Sequence, residues 1–578
     1  MLRRSLTASA LVALLSACDS ATTSCPSGER LTDRGCELPT EPTGVRATTV
    51  GFLPDTRKRG TYVGAAAAFE VRRAPDGDVV LEGTAGPEVF ASDTGETVRF
   101  VDFDELVEPG EYFVSVDGAG KSQPFAVADD VFVEPFRAAM LGLYGLRCGA
   151  AVSLEWQNDR FGHGECHETD AAPGGWHDAG DYGKYTTNGS FSLAMLLVAW
   201  DHFRDRLEPL ELELPERGGP IPDFLDECRF QVEWLLAMQD PETGGVFDRL
   251  TPYCEGCTAR NQPFDPMSVM PESTTSERRL APVSTPATAD FAGVVARAAR
   301  AFEPYDPDFS SRAREAALRA WAYLVENPEH QPPTNVQYTG YYLTQDPDDR
   351  AWAAAEIWET TGDEAALAEF EERSRTLGAR TDWDWADVQN LGVYTYLLSE
   401  RDGRDPDRVD ALARQVLAQA DGMAMAADTH AYGRSVGTTY YWGINGVIAR
   451  TVMNLVVAGR LDATDEQKVR FRAASSAQLD HLFGRNYYGR SFVTGVGYDP
   501  PRQPHHRPSV ADGVVAPWPG LLIGGPSGQS QDGEPVERPA TSWRDESNNY
   551  VTNEVAINWS GALVYALAAF LPEDRLSP

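Results

Sequence analysis

The sequence predicts a mostly α protein, in which a small all-β sandwich precedes a long all-α domain. Three observations lead there. Apolar residues alternate with period two between Val45 and Val127, and they recur with period 3.6 after Asp130. The chain has 578 residues, too many for one ordinary core, so two or more domains are expected. An apolar share of 42% and 13 tryptophans place it among globular rather than disordered proteins.

The first residues carry an export pattern. Arg3 and Arg4 precede the apolar run Ala8 to Leu15, which is too short to span a bilayer. The run closes on Leu15-Ser16-Ala17-Cys18, which resembles a bacterial lipobox. That resemblance implies a signal peptide over 1–17, cleavage before Cys18 and acylation of its thiol. Residues 18–41, rich in Ser, Thr, Pro and Gly, read as a tether. The expected location is the surface or periplasmic face of a bacterial membrane, reached only through the lipid. In an oxidising compartment Cys25 and Cys36 are expected to close a small loop. Cys254-x-x-Cys257 has no β-α-β context, which favours a local disulfide over a redox site.

The β domain, expected over 42–128, shows its strands in turn. Phe69 and Val71 alternate, Asp76-Gly77 marks a tight turn, and Val79 and Leu81 resume the alternation. Tyr112, Val114 and Val116 share one face of a strand that ends at Asp117-Gly118. Several short strands in about eighty residues suggest an immunoglobulin-like sandwich.

The helical domain is expected over 131–574. Phe224, Leu225, Cys228, Val232, Leu235 and Leu236 form one stripe, with Asp223 near its start and Cys228 as a buried thiol. Phe291, Val294, Val295, Ala298 and Phe302 form another. Roughly a dozen such segments run from Phe136 to Ala569, with no strand series between them. The formal net charge of −37 argues against a nucleic-acid partner, because a polyanion would be repelled. The same charge fits plain solubility and a saline habitat alike.

The chemistry concentrates in three blocks. The first is Gly174-Gly175-Trp176-His177-Asp178-Ala179-Gly180-Asp181-Tyr182-Gly183-Lys184-Tyr185. Two aspartates three apart in a glycine-rich segment can aim both carboxylates at one point, as water activation at an anomeric carbon requires. The second runs from Ser491-Phe492-Val493-Thr494-Gly495 to Pro504-His505-His506-Arg507. The third joins Trp543-Arg544-Asp545 to Asn553-Glu554-Val555-Ala556-Ile557-Asn558-Trp559. In this order the blocks resemble the aspartate, histidine and acid signatures of glycoside hydrolase family 9. Val50-Gly51-Phe52-Leu53-Pro54 resembles the opening of that family's N-terminal immunoglobulin-like module.

The resemblance implies an (α/α)6 barrel and an inverting β-1,4-glucanase, either an endoglucanase or a cellodextrinase acting on glucans or oligosaccharides. It implies Asp181 as general base, Asp178 as its helper on the water, and Glu554 as general acid. Asp545 is expected to support the acid, and His505 and Arg507 to bind sugar hydroxyls. Trp559 and Trp442 are expected either to stack on sugar or to pack in the core. Asp499 and Ser560-Gly561 depart from the family pattern, which bears on subsite shape and not on the reaction. An exo-acting β-glucosidase or glucosaminidase, or a surface glycan-binding protein without catalysis, are the alternatives. A monomer is expected.

Cys148, Cys166, His167 and His177 offer two thiolates and two imidazoles, a closed tetrahedral zinc set. Read from the residues alone, a Cys148–Cys166 disulfide with unrelated histidines is equally open. The resemblance favours structural zinc, because a subset of family 9 enzymes with the same β module carries it on matching positions. It also makes calcium possible, with Asp290 as a candidate ligand.

Overall fold

The structure is a computed structural model that describes residues 44–74, 77–257, 264–333, 337–340 and 344–573, and the backbone of 30–32 and 35–37. The leader, Cys18, the Cys25–Cys36 pairing and Asp76 lie outside the described residues. The first 41 residues form a unit of their own, in which Arg30–Thr32 pairs antiparallel with Gly35–Glu37. Everything that follows belongs to the second unit, Pro42–Pro578.

Residues 45–127 form a sandwich of a six-stranded and a four-stranded sheet. The alternating residues do what their period requires. Phe69, Val71, Tyr112, Val114 and Val116 all turn inward, joined by Phe52, Phe103 and Phe125, whose rings pack within 5.6 Å of one another. Val79 is the exception. It and Val80 lie on an edge strand and are exposed.

Twelve helices of ten or more residues follow among the described residues: α1 Val133–Tyr144, α2 Thr186–Leu207, α3 Asp223–Ala237, α4 Thr285–Phe302, α5 Pro307–Glu326, α6 Pro347–Thr361, α7 Glu364–Arg373, α8 Gln389–Leu398, α9 Pro406–Thr429, α10 Ile444–Arg460, α11 Asp465–Leu482 and α12 Ile557–Ala568. The even-numbered helices pack on one another as an inner ring, and each odd-numbered one lies outside it. Burial follows that division. Every residue of α12 and nearly all of α4 are buried, whereas α9 buries one stripe from Leu412 to Ala427. The fold is an (α/α)6 barrel behind an immunoglobulin-like sandwich. Starts are set by local chemistry: Ser284, Asp306 and Asp405 cap α4, α5 and α9, each with proline in the first turn. Thr464 and Gln467 close a capping box on α11.

One expectation needs correction. Short strands do occur between the helices: the hairpin Val152–Trp156 with Asp159–His163, and a three-stranded sheet of Lys184–Tyr185, Arg249–Pro252 and Arg278–Leu280. Two to five residues are too few for an alternation to show in the sequence.

Candidate active site

The three blocks converge because their backbones are stitched together at one end of the barrel. The aspartate loop leads directly into α2, and the acid segment leads directly into α12. Ala179 bridges Ala556, and the Ile557 N–H donates to the Asp178 carbonyl at 2.9 Å. His505 bridges Glu554, and its N–H donates to the Asn553 carbonyl at 2.8 Å. The Arg507 N–H and Nη1 both donate to the Gly180 carbonyl. The motif glycines follow from this crowding. Gly174 and Gly175 sit at φ 84° and 76°, which a side chain disfavours. A Cβ on Gly180 would lie 2.3 Å from the His505 carbonyl oxygen.

Asp178 is buried and accepts from Asn188 Nδ2 at 2.8 Å. Asp181 is half-buried, and its Oδ1 accepts the Gly183 N–H at 3.3 Å. Burial raises the Asp181 carboxyl, and the positive charge of Arg507 opposes that rise. Glu554, also half-buried, is pushed well above the usual carboxyl range, first by burial and then by Asp181 and Asp178. Asp178 and Asp181 each accept a hydrogen bond and Arg507 favours the charge on Asp181, whereas Glu554 is driven toward its protonated form.

His505 donates from Nδ1 to the Ser547 carbonyl at 2.6 Å, and burial lowers its pKa to about 4, so it is neutral near pH 7. Arg507 is 4% exposed and spends Nε on the Asp265 carbonyl and Nη1 on Gly180. Asp545 accepts from the N–H groups of Arg502 and Gln503 and from Arg490. Asn553, next to Glu554, adds a longer contact at 3.4 Å, so Asp545 joins the histidine loop to the acid segment. Asp499, one of the departures from the pattern, sits at φ 44°, where aspartate is among the tolerated residues, and pairs with Arg490 at 2.8 Å. Gly561 is required by contact: a Cβ there would meet the Ser192 carbonyl of α2 at 2.9 Å.

The two tryptophans separate. Trp559 is a correction to the sugar-stacking option, being 7% exposed with its ring boxed by Gly443, Gly446 and Gly524. Trp442 is 51% exposed and lines a cavity of about 480 Å³ with Tyr440, Tyr441 and Tyr550. Its ring meets Tyr550 edge-on at 5.5 Å, and Tyr550 meets His505 at 6.2 Å. Tyr550, like Asn188 and Asp265, carried no motif of its own in the sequence.

Cys148, Cys166, His167 and His177 come together behind the aspartate loop, with one ligand atom from each within 4.8 Å of the others. Two backbone bonds align the segments that carry Cys148 and His177, Cys148 N–H to the Gly175 carbonyl and His177 N–H to the Leu146 carbonyl, both 2.7 Å. The two sulfurs stand 3.9 Å apart, so the cysteines are free and not bridged. Two sulfurs held tetrahedrally at ~2.3 Å from one ion stand roughly 3.8 Å apart, which this spacing matches. His167 Nδ1 faces Cys148 at 3.3 Å while its Nε2 is held by Thr274 Oγ1 at 2.8 Å, a fixed tautomer of the kind metal-bound histidines show. The hydrogen bond to Cys148 and burial push the Cys166 thiol up. Burial opposes ionisation of Cys148 too, but the bond from Cys166 and the charge of Lys184 outweigh it. The donor set fits a closed divalent-metal site.

Elsewhere, Cys254 and Cys257 form a disulfide and Cys228 is a buried thiol, both as the spacing suggested. Asp290 lies fully buried on α4 with its carboxyl against that of Asp349 on α6. Burial raises both acids.

Residues 132–567 match the model of glycosyl hydrolase family 9, and residues 41–121 match the cellulase N-terminal ig-like domain. Endoglucanase D of Acetivibrio thermocellus is 42% identical over 544 residues, covering 91% of this chain and 83% of that protein. A thermostable endoglucanase from Alicyclobacillus acidocaldarius, solved as a single mutant, superposes with a TM-score of 0.81 at 31% identity over 92% of this chain and all of that one. A Zn-binding triple mutant of the family 9 endoglucanase J30 gives 0.79 at 30% identity, over 90% of this chain and all of that one. The chain thus belongs to glycosyl hydrolase family 9 and is a cellulase-type glycoside hydrolase of β-1,4-glucans.

Proposed function

We propose that the enzyme is an inverting, endo-acting β-1,4-glucanase with Asp181 as general base and Glu554 as general acid. One observation carries the assignment: two carboxyls of opposite protonation need flank the same stitched backbone. Asp181 has an N–H donor and a nearby guanidinium, both favouring the charged form. Glu554 is kept protonated by burial and by the two aspartates. Asp181 takes a proton from the water that attacks the anomeric carbon. Glu554 gives its proton to the departing glycosidic oxygen as the C–O bond breaks. Asp178, fixed by Asn188, holds the water's second side. The exposed face of Trp442 supplies a sugar platform. Such geometry needs carboxyls roughly 6.5–9.5 Å apart, leaving room for the water. Proton NMR of fresh hydrolysate is expected to show the α-anomer first, and a β-anomer first would remove the assignment.

The four-donor site is read as zinc, supported by its ligand types, its 3.9 Å sulfur spacing and the Zn-binding relative. Zinc there would cross-link the loops, since all four positions are filled by protein. We further infer a monomer anchored through acylated Cys18. Radiolabelled palmitate incorporated by the native chain and lost in Cys18→Ala is the expected result.

A further inference from the structure

We propose that Arg278 is a positioning residue for the general base, acting through the Tyr182–Gly183 peptide. This rests on the reading of Asp181 as base. A peptide unit is rigid and planar, so what holds its carbonyl also aims its N–H. The Gly183 N–H of this unit donates to Asp181 Oδ1 at 3.3 Å, and its carbonyl, that of Tyr182, accepts Arg278 Nη1 at 2.8 Å. Arg278 thus reaches the base through one peptide, and a charged donor on the carbonyl polarises the N–H on the other side.

The arginine is itself fixed. Its side chain is 5% exposed, and every guanidinium nitrogen is used. Nε meets both oxygens of Asp170 at 3.2 Å, and Nη2 donates to the Leu250 carbonyl at 3.2 Å. Asp170 is shared with Lys184, which is fully buried and holds the carbonyls of Ala172 and Gly174 at 3.0 and 2.9 Å. Both cations stand on the small three-stranded sheet, which the aspartate loop enters at Lys184. A planar fork spreads its donors over the three separate segments of Asp170, Tyr182 and Leu250, which suits arginine at this position. The positive charge of Arg278 also lies close enough to favour ionised Asp181. It does so together with Arg507, against Asp265, with Glu554 and Tyr185 the other titratable groups in range.

The test uses the purified, metal-loaded enzyme with two substrates, a cello-oligosaccharide and an aryl cellobioside with a good leaving group. Arg278→Gln is expected to lower kcat about tenfold or more on both, by the same factor, with KM within about threefold and the zinc content unchanged. The acidic limb of kcat/KM should move to higher pH, and Arg278→Lys should fall between this variant and the native enzyme. Native kcat in a folded Arg278→Gln, or a loss confined to the oligosaccharide, overturns the proposal. If Arg278→Gln does not fold, Arg278→Lys carries the same two-substrate test. Asp181→Asn is measured alongside. If that variant proves sensitive to the leaving group, the base assignment itself fails. If it is insensitive while Arg278→Gln behaves as native, only the positioning role fails.

Discussion

The aspartate loop and the segment that carries Glu554 meet at one site but are held by different kinds of force. The loop that carries Asp178 and Asp181 is backed by the ionic side chains Lys184 and Arg278 and by the four-donor cluster of Cys148, Cys166, His167 and His177. The segment that carries Glu554 is held by backbone bonds, Glu554 itself to Gly524 and His505 and Ala556 to Ala179, with Asp545 acting only on its neighbours. The difference suits the two tasks. A base must be charged and aimed at a water, so charge and direction are supplied from behind it. An acid must keep its proton, and burial and two like charges push its pKa up against the opposing charge of Arg507.

The largest effects should come from breaking that division. General acid–base groups are worth ~10²–10⁴ in rate, so Glu554→Gln should lower kcat on glucans by about a thousandfold. On aryl glycosides with good leaving groups the loss should be much smaller. Asp181→Asn should damage both substrates alike, because water must be activated whatever departs. Identical responses of the two variants would show that the roles are not divided.

The electrostatics sharpen the same comparison through pH. With the roles proposed, activity needs Asp181 ionised and Glu554 protonated, so the acidic limb of kcat/KM should report the base and the alkaline limb the acid. Asp178 raises the Glu554 pKa, so removing its charge must lower it. The alkaline limb of Asp178→Asn should therefore move to lower pH in its residual activity, with no such displacement in a control such as Trp442→Ala. An unmoved alkaline limb in Asp178→Asn would mean that burial alone sets the acid.

The metal cluster should show its effect in stability before activity. A structural zinc contributes folding free energy because the unfolded chain does not hold the preformed site. Cys166→Ser should lose about one equivalent of zinc and lower the melting temperature by about 5 °C or more. Added Zn²⁺ should not accelerate the loaded enzyme. Native protein without zinc and with a Cys148–Cys166 bridge in the peptide map would replace the site by a cross-link.

Contiguous features were legible in the sequence and dispersed ones were not. The three motif blocks and the alternation of Tyr112, Val114 and Val116 each lie within a few residues, where spacing alone carries the message. The clamp on the base does not: Asp170 and Arg278 are far apart in the chain, and neither sits in a pattern. Thr274, behind His167, is hidden for the same reason. The strand that carries Arg278 is three residues long, too short for any periodicity. Asn188 is one polar residue in the first turn of a helix, where capping explains it as readily as catalysis.

The tryptophans give the smallest predicted change in turnover and the cleanest contrast between a platform and a core. In sequence they are alike, each following a motif or aromatic run. In the structure Trp442 offers half its surface beside Tyr550, whereas Trp559 fills a space that three glycines leave for it. An exposed aromatic face is worth ~1 kcal/mol to a stacked ring, so Trp442→Ala should raise KM about threefold to tenfold with little change in kcat or melting temperature. Emptying a buried tryptophan site costs ~3–5 kcal/mol, so Trp559→Ala should lower the melting temperature by several degrees. Because α12 begins three residues after Glu554, some activity should be lost with it. Calorimetry and oligosaccharide kinetics on the two variants separate these outcomes. A KM effect confined to Trp559→Ala would reverse the assignment, placing the sugar on the ring that the glycines enclose.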